Sequence, residues 1–397
     1  MALTEMSLSS VEIVGFRSIR KMRFPVRRLT VLVGGNGVGK TNLYRSLELL
    51  QAAARGTLAE EIAREGGLGS IFWAGGKNLS PDGTFDERYR TDGYRRGEVY
   101  RLQLEASFEA IGDTEFSPSY RIELGFPPKE ATAAFLLEAQ VKAETVSMSS
   151  RGKRIALMER KGNSVWARDI DGRHELVDDG LLSSETALAS LRGGQSELGL
   201  LRDTLANWRF YHGFRTDADS PLRRPSRAIT SPLLASDGSN LGAVFATLRH
   251  IREETIDLDA AIADAFPGAE LIVPAPAEFA SFAMQFPEMP KRAFAAHELS
   301  DGTLQFLALM GALLSYRLPP FIALNEPEAS LHPSLLPVLA RTIVKAAERT
   351  QIWVVTHARD LADAIAAESG VIAREVVRTD DGTWLEGLNQ IGLFTDE

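Results

Sequence analysis

Leu29-Thr30-Val31-Leu32-Val33 runs directly into Gly34-Gly35-Asn36-Gly37-Val38-Gly39-Lys40-Thr41. From Thr41 to Leu50 the apolar residues Leu43, Leu47 and Leu50 recur at helical spacing. A short buried strand, a glycine loop and a helix therefore follow one another. The loop fits G-x-x-x-x-G-K-[ST] at every fixed position. Glycines let the backbone bend so that successive N–H groups face phosphate oxygens, and larger side chains would block that approach. The helix presents its positive end to the same anion. Lys40 can reach the β- and γ-phosphates, and the Thr41 hydroxyl can ligate Mg²⁺. A chance match in this length is expected on the order of one time in a hundred. The stretch predicts a phosphate-binding loop.

Three further segments fit such a loop. Phe321-Ile322-Ala323-Leu324 is an apolar run ending in Asn325-Glu326-Pro327-Glu328. A hydrophobic strand with acidic residues at its tip is how a nucleotide-hydrolysing site receives a metal-side residue and a water-activating carboxylate. Glu326 is the candidate general base. Asn325 stands where an Asp is expected; its amide can bond a metal-bound water but brings no negative charge. Ile352-Trp353-Val354-Val355-Thr356-His357 is a second buried strand with a polar tip, and His357 there can sense a γ-phosphate by donating a hydrogen bond. Leu299-Ser300-Asp301-Gly302-Thr303-Leu304-Gln305 precedes an apolar helix that Ser300 can cap, and the helix start can bind an anion. The other five histidines read as surface or satisfied polar residues.

Between these segments the pattern changes. Val99–Phe108, Tyr120–Phe126, Phe135–Met148, Arg154–Arg160 and Val165–Ile170 read as successive strands of a β-rich arm, preceded by a polar loop over Gly75–Gly97. Helical patterns cover Leu181–Trp208 and Leu241–Ala265, and Leu271–Val273 with Phe279–Phe286 read as a hairpin. Helices are expected at Gly302–Ser315 and Leu335–Arg349, and a hairpin over Val371–Leu388. Strand and helix alternate at both ends with a β-rich segment between, which predicts one α/β domain split by an insertion.

Composition narrows the classes. No apolar run approaches the ~20 residues of a membrane span, and the first residues lack the basic start and apolar stretch of a signal peptide. Zero cysteines exclude disulfides and thiolate sites and point to a reduced cytoplasm. The balance of 44 Lys+Arg against 53 Asp+Glu gives a net charge of −9, so any contact with DNA must come from a local patch. Two stretches qualify: Arg17, Arg20, Lys21, Arg23, Arg27 and Arg28; and Arg88, Tyr89, Arg90, Tyr94, Arg95, Arg96 and Arg101. Interspersed acids favour a solvated face for the second.

The order Gly34–Thr41, Leu299–Gln305, Leu324–Pro333 and Thr356-His357 resembles the ABC-type ATPase heads of the SMC, RecF and OLD group, which include bacterial stand-alone AAA-family ATPases. Val14-Gly15-Phe16-Arg17-Ser18-Ile19 resembles the group's N-terminal segment, whose Arg and Ser lie beside the phosphates. Ser330-Leu331-His332-Pro333 sits at the D-loop position, and Asp237–Leu241 with Phe266-Pro267-Gly268 resembles the stand-alone members. The resemblance implies an α/β P-loop NTPase with a central, mostly parallel sheet, an antiparallel arm and a helical insertion. It implies an ATPase lobe in two parts, 1–75 and 269–397, with the arm at 76–180 and the helical insertion at 181–268. Arg17, Ser18, Gly34, Asn36, Gly37, Gly39, Lys40, Thr41 and Asn42 would then bind ATP. Thr41 and Asn325 would serve Mg²⁺, and Glu326 and His357 hydrolysis. Ser300, Asp301 and Gly302 would complete the site of a partner subunit.

In such a family two heads sandwich two nucleotides, and hydrolysis separates them. The expected function is an ATP-driven switch that forms a head-to-head dimer or higher homo-oligomer. It would serve DNA maintenance or anti-phage defence through a separate effector, since only about forty residues after His357 are too few for a nuclease domain. The sequence departs from the group at Asn325 and Asp301, offers no placeable Q-loop glutamine, and lacks a long coiled coil between Thr41 and Leu299. Two alternatives stay open: an ATP-binding scaffold with little turnover, motivated by Asn325, and a transporter motor. The arm and the Phe16-Arg17-Ser18 segment argue against the motor.

Overall fold

The computed structural model describes residues 5–73, 101–111, 116–127, 135, 137–150, 153–168, 172–191, 196–252 and 255–395. The chain divides into two compact units. One comprises Met1–Arg27, Gly34–Trp208 and Glu375–Glu397; the other comprises Arg28–Val33 and Arg209–Arg374. The division between Val33 and Gly34 leaves the buried strand in the second unit and the glycine loop in the first.

The second unit is α/β. Its strands run parallel in the order Arg209–Tyr211, Phe321–Asn325, Gln351–Thr356 and Leu29–Val33. Continuous apolar runs such as Phe321–Leu324 and Ile352–Val355 are buried throughout, as strands covered on both faces require. Asn325 lies opposite Val355, and Val33 opposite Thr356. Helix Asp301–Leu314 is buried from Leu304 onward, and helices Leu336–Ala347 and Arg359–Ser369 pack on each other. Leu307, Met310, Ile322, Leu324, Ile343 and Val354 are among the fully buried residues of this core.

Two expectations are corrected here. The helix expected over 241–265 breaks: Leu241–Thr247 passes into a π-helical turn at Leu248–Arg252, and a new helix starts at Ile256. The hairpin expected at 271–286 forms between Glu270–Ile272 and Ala283–Gln285, but its second strand is divided, because Phe279–Ala280 pairs instead with Ser226–Arg227.

The first unit is built on an antiparallel sheet. Its order is Arg374–Thr379, Gly382–Leu385, Ile19–Pro25, Glu5–Phe16, Leu102–Ile111, Pro118–Gly125, Gln140–Ser150, Lys153–Lys161, Ser164–Arg168 and His174–Asp178. The expected arm strands are present with ends shifted by a few residues. His174–Asp178 was not expected, nor was Ile19–Pro25. In Ile19–Pro25 the apolar Ile19, Met22 and Phe24 are buried while Arg20, Lys21 and Arg23 are exposed. The cations mask what is one buried face of a strand. The helical pattern of 181–208 resolves into Ala187–Ser190 and Ser196–Ala206. Trp208 is buried with its ring centroid 6.2 Å from that of Phe108, the two rings tilted, so it serves the core.

A buried polar cluster ties the arm to the segment after it. The Glu144 carboxylate accepts from the N–H groups of Ala187 (2.6 Å) and Leu188 (2.9 Å) and from Tyr120 Oη (2.9 Å). Arg160, fully buried, donates to the carbonyls of Gly162, Leu182 and Glu185 and lies 4.0 Å from Glu144. Burial pushes the Glu144 carboxyl up, against the pull of its hydrogen bonds, and pushes the Tyr120 hydroxyl well up. No helix among the described residues is long and apolar enough to cross a membrane.

Candidate functional site

The residues singled out in the sequence fall in both units, and each set is described within its own. In the first unit the glycine loop leads into helix Lys40–Arg55. Gly37 and Gly39 have φ of +78° and +105°, which favour glycine. At Gly39 a Cβ would stand 1.9 Å from Thr383 Oγ1 and 2.7 Å from Ser18 Oγ, so a side chain is also excluded by packing. Lys40 is buried, and its Nζ donates to the carbonyls of Gly34 (2.6 Å) and Gly35 (2.7 Å). Asn36 and Thr41 are exposed.

The loop is braced from outside. Thr383 Oγ1 donates to the Val38 carbonyl at 2.8 Å and lies 2.6 Å from Ser18 Oγ, which accepts from Asn42 Nδ2 at 2.6 Å. The Thr383 N–H also bonds the Ser18 carbonyl (2.8 Å). Arg17 holds Glu65 at 2.6 Å and approaches Asn42 Oδ1 at 3.4 Å. Arg17, Ser18 and Asn42 are thus brought together at the loop. Thr383 was missed. Its only sequence mark is its place beside Gly382 in the C-terminal hairpin, which says nothing about the loop.

In the second unit the strand Phe321–Asn325 delivers Asn325 and Glu326 at its end. Glu326 takes the left-handed conformation (φ +49°), and its N–H bonds the Val355 carbonyl at 2.7 Å. That conformation costs about 1–2 kcal/mol for a residue with a Cβ. It turns the half-exposed Glu326 carboxylate out beside His357, with Oε1 3.7 Å from Nδ1. Asn325 Oδ1 is buried with no hydrogen-bond partner among the described residues. An unsatisfied buried oxygen costs about 1–3 kcal/mol. A neutral buried oxygen at this strand end suits a Mg²⁺ that keeps several waters. Glu328, given no role from the sequence, is buried and contacts Thr356, His357 and Ala358.

The expected signature residues open helix Asp301–Leu314. Ser300 Oγ caps it by accepting from the Thr303 N–H at 3.2 Å. Arg223 clasps the segment: it bonds the carbonyls of Thr216, His297 and Leu299 and the Asp301 carboxylate (2.7 Å). A Cβ on Gly302 would stand 2.8 Å from the carbonyl of Ser330, itself left-handed at φ +65°. The signature start and the Ser330–Pro333 segment are therefore in van der Waals contact.

The basic stretches give less. Arg88, Tyr89, Arg90, Tyr94, Arg95 and Arg96 lie outside the described residues, and Arg101 pairs with Glu123 at 2.9 Å. In the N-terminal stretch, Arg17, Arg20 and Lys21 face Glu65, Asp381 and Glu12.

No curated protein matches the chain in sequence. Among solved structures, an SMC head bound to the C-winged helix domain of ScpA superposes with a TM-score of 0.53 at 18% identity, covering 97% of this chain and 98% of that one. The SMC head domain from Thermotoga maritima covers 95% and 97% at 16% identity and a TM-score of 0.46. The first likeness establishes the fold, that of an SMC-type ATPase head. Residues 29–359, most of the chain, match the family described as "AAA domain, putative AbiEii toxin, Type IV TA system", and the chain belongs to that family of P-loop ATPases.

Proposed function

We propose that the protein binds and hydrolyses ATP as an ABC/SMC-like molecular switch that dimerises around the nucleotide. One observation carries the reading: a complete phosphate loop, with Lys40 buried against it and Ser18, Asn42 and Thr383 bracing it. Such bracing limits the ordering that phosphate binding must supply. In this reading Lys40 exchanges its loop carbonyls for phosphate oxygens, and the loop N–H groups and helix start receive the remaining charge. Glu326 takes the proton of the attacking water, and His357 contacts the γ-phosphate. Thr41 and Asn325 would hold Mg²⁺, directly or through water; when bound, the ion neutralises charge on the phosphate oxygens. Ser300, Asp301 and Gly302 serve the nucleotide of a second copy. The four-part lobe, arm and insertion division of the sequence belongs to the same proposal.

The family's description names a Type IV TA system, which supports a defence role exerted with a separate partner over DNA maintenance. A second reading, an ATP-binding scaffold with little turnover, rests on the neutral Asn325. Steady-state phosphate release decides between them, measured beside Lys40→Ala and Glu326→Gln with and without DNA. The switch predicts turnover that both variants lose by about 100-fold or more. Glu326→Gln should also trap an ATP-dependent oligomer in light scattering, which Ser300→Arg abolishes. Wild-type protein that binds ATP yet releases no more phosphate than the variants leaves only the scaffold.

A further inference from the structure

We propose that Glu328 is the positioning residue of His357, fixing which ring nitrogen carries the proton. The inference takes His357 as the phosphate-sensing residue of the reading above and asks what sets its chemistry. Three donors and the ring nitrogen of His357 converge on one oxygen. Glu328 Oε1 accepts from Thr356 Oγ1 at 2.5 Å and from the N–H groups of His357 at 3.0 Å and Ala358 at 3.2 Å, and lies 3.1 Å from His357 Nδ1. The carboxylate is buried and the imidazole half-exposed, so the pair has a rigid member and a presented one.

A carboxylate only accepts hydrogen bonds, and a lone pair on Nδ1 at this distance would repel it. Nδ1 therefore bears a hydrogen in both charge states of the ring. The Glu326 carboxylate, the other acid facing this nitrogen, acts in the same direction from 3.7 Å. In the neutral ring Nε2 is then an acceptor, able to take a hydrogen bond from water but not to give one to phosphate. Only the protonated ring can donate from Nε2. Sequence alone gives a histidine at a strand tip; the buried carboxylate two residues after Glu326 decides what that histidine can do.

The test uses the full chain with ¹⁵N-labelled histidine, the His357 signal being assigned by its loss in His357→Ala. Long-range ¹H–¹⁵N spectra above the ring's titration range should show the Nδ1–H tautomer in wild type. Glu328→Gln keeps an acceptor at the same place without charge, and Glu328→Ala removes it. The alanine variant should shift His357 toward the usual Nε2–H form. Circular dichroism screens folding, and Glu328→Leu, which also removes the acceptor, serves if the alanine variant does not fold. An Nε2–H tautomer in wild type, or an unchanged spectrum in a folded protein that lacks the acceptor, overturns the inference. These spectra need no turnover, so a wild type without ATPase activity sinks the proposed function and leaves this assignment standing. With turnover, Glu328→Gln should lower kcat by about 10–100-fold at little change in KM, the range seen when a partner that orients a functional histidine is lost. Added to His357→Ala it should cost nothing further; additive losses would mark a merely structural residue.

Discussion

Replacing Thr383 with Val tests whether the phosphate loop depends on its brace. Valine matches threonine in shape, so no cavity opens at this 3% exposed position. What is lost is the bond to the Val38 carbonyl and the bond shared with Ser18. At about 0.5–1.5 kcal/mol for each, the variant should lose about 1–3 kcal/mol. For a unit of this size, each kcal/mol lowers the melting temperature by about 2–4 °C. The same free energy must be regained when a ligand orders the loop, so affinity for a fluorescent ATP analogue should fall about 5- to 150-fold. Ser18→Ala removes the same bond from its other end, so the two substitutions combined should cost about 0.5 kcal/mol or more below the sum of the single losses. Scanning fluorimetry and nucleotide titration of the four proteins check this. A Thr383→Val protein that melts within about 1 °C of wild type and binds the analogue equally well refutes the brace.

Other substitutions probe the remaining contacts. Gly302→Ala must push on the Ser330 carbonyl at 2.8 Å; it should abolish the ATP-dependent oligomer in light scattering while the monomer still binds nucleotide. Arg223→Ala unlatches three carbonyls and Asp301 and should cost about 2–4 kcal/mol in thermal or denaturant unfolding; Lys, lacking the planar fork, should not restore it. Glu144 gives a pH signature. Burial raises its carboxyl above the ordinary 4.5, so the folded chain holds that proton more tightly than the unfolded chain. Its contribution to stability is full below the ordinary value and is lost as pH rises through the folded-state value. The melting temperature of wild type minus Glu144→Gln should therefore fall from about pH 4.5 upward and then level; a difference that is flat or rises with pH contradicts the assignment.

What the sequence made legible, and what it hid, follows from how local each signal is. Leu29–Thr41, Phe321–Glu326 and Ile352–His357 carry their structure in their own residues, because a strand buried on both faces is apolar throughout and a phosphate loop has fixed glycines. The arm was legible from alternation. Ile19–Pro25 was not, because Arg20, Lys21 and Arg23 dominate its composition while only Ile19, Met22 and Phe24 reach the core. The π-helical turn at Leu248–Arg252 leaves no mark in the apolar spacing of the sequence. Thr383 and Glu328 were hidden for a different reason. Each acts through partners that folding alone brings to it, and neither a hairpin threonine nor a second glutamate after a proline announces its partner. Arg17, Ser18 and Asn42 are candidates by resemblance alone; the bonds of Asn42 to the other two are what the structure adds.

The brace also has a consequence in time. Val38 and Thr383 are 345 residues apart in the chain. At ~5–20 residues per second of synthesis, about 17–70 s pass between the emergence of the loop and that of its clasp. Throughout that interval the glycine loop has its sequence but not its support. A nascent chain released early by a stalled ribosome would carry the whole G-x-x-x-x-G-K-T motif and still hold nucleotide weakly. In the proposed reading, competence to engage ATP is thereby deferred until Thr383 has emerged.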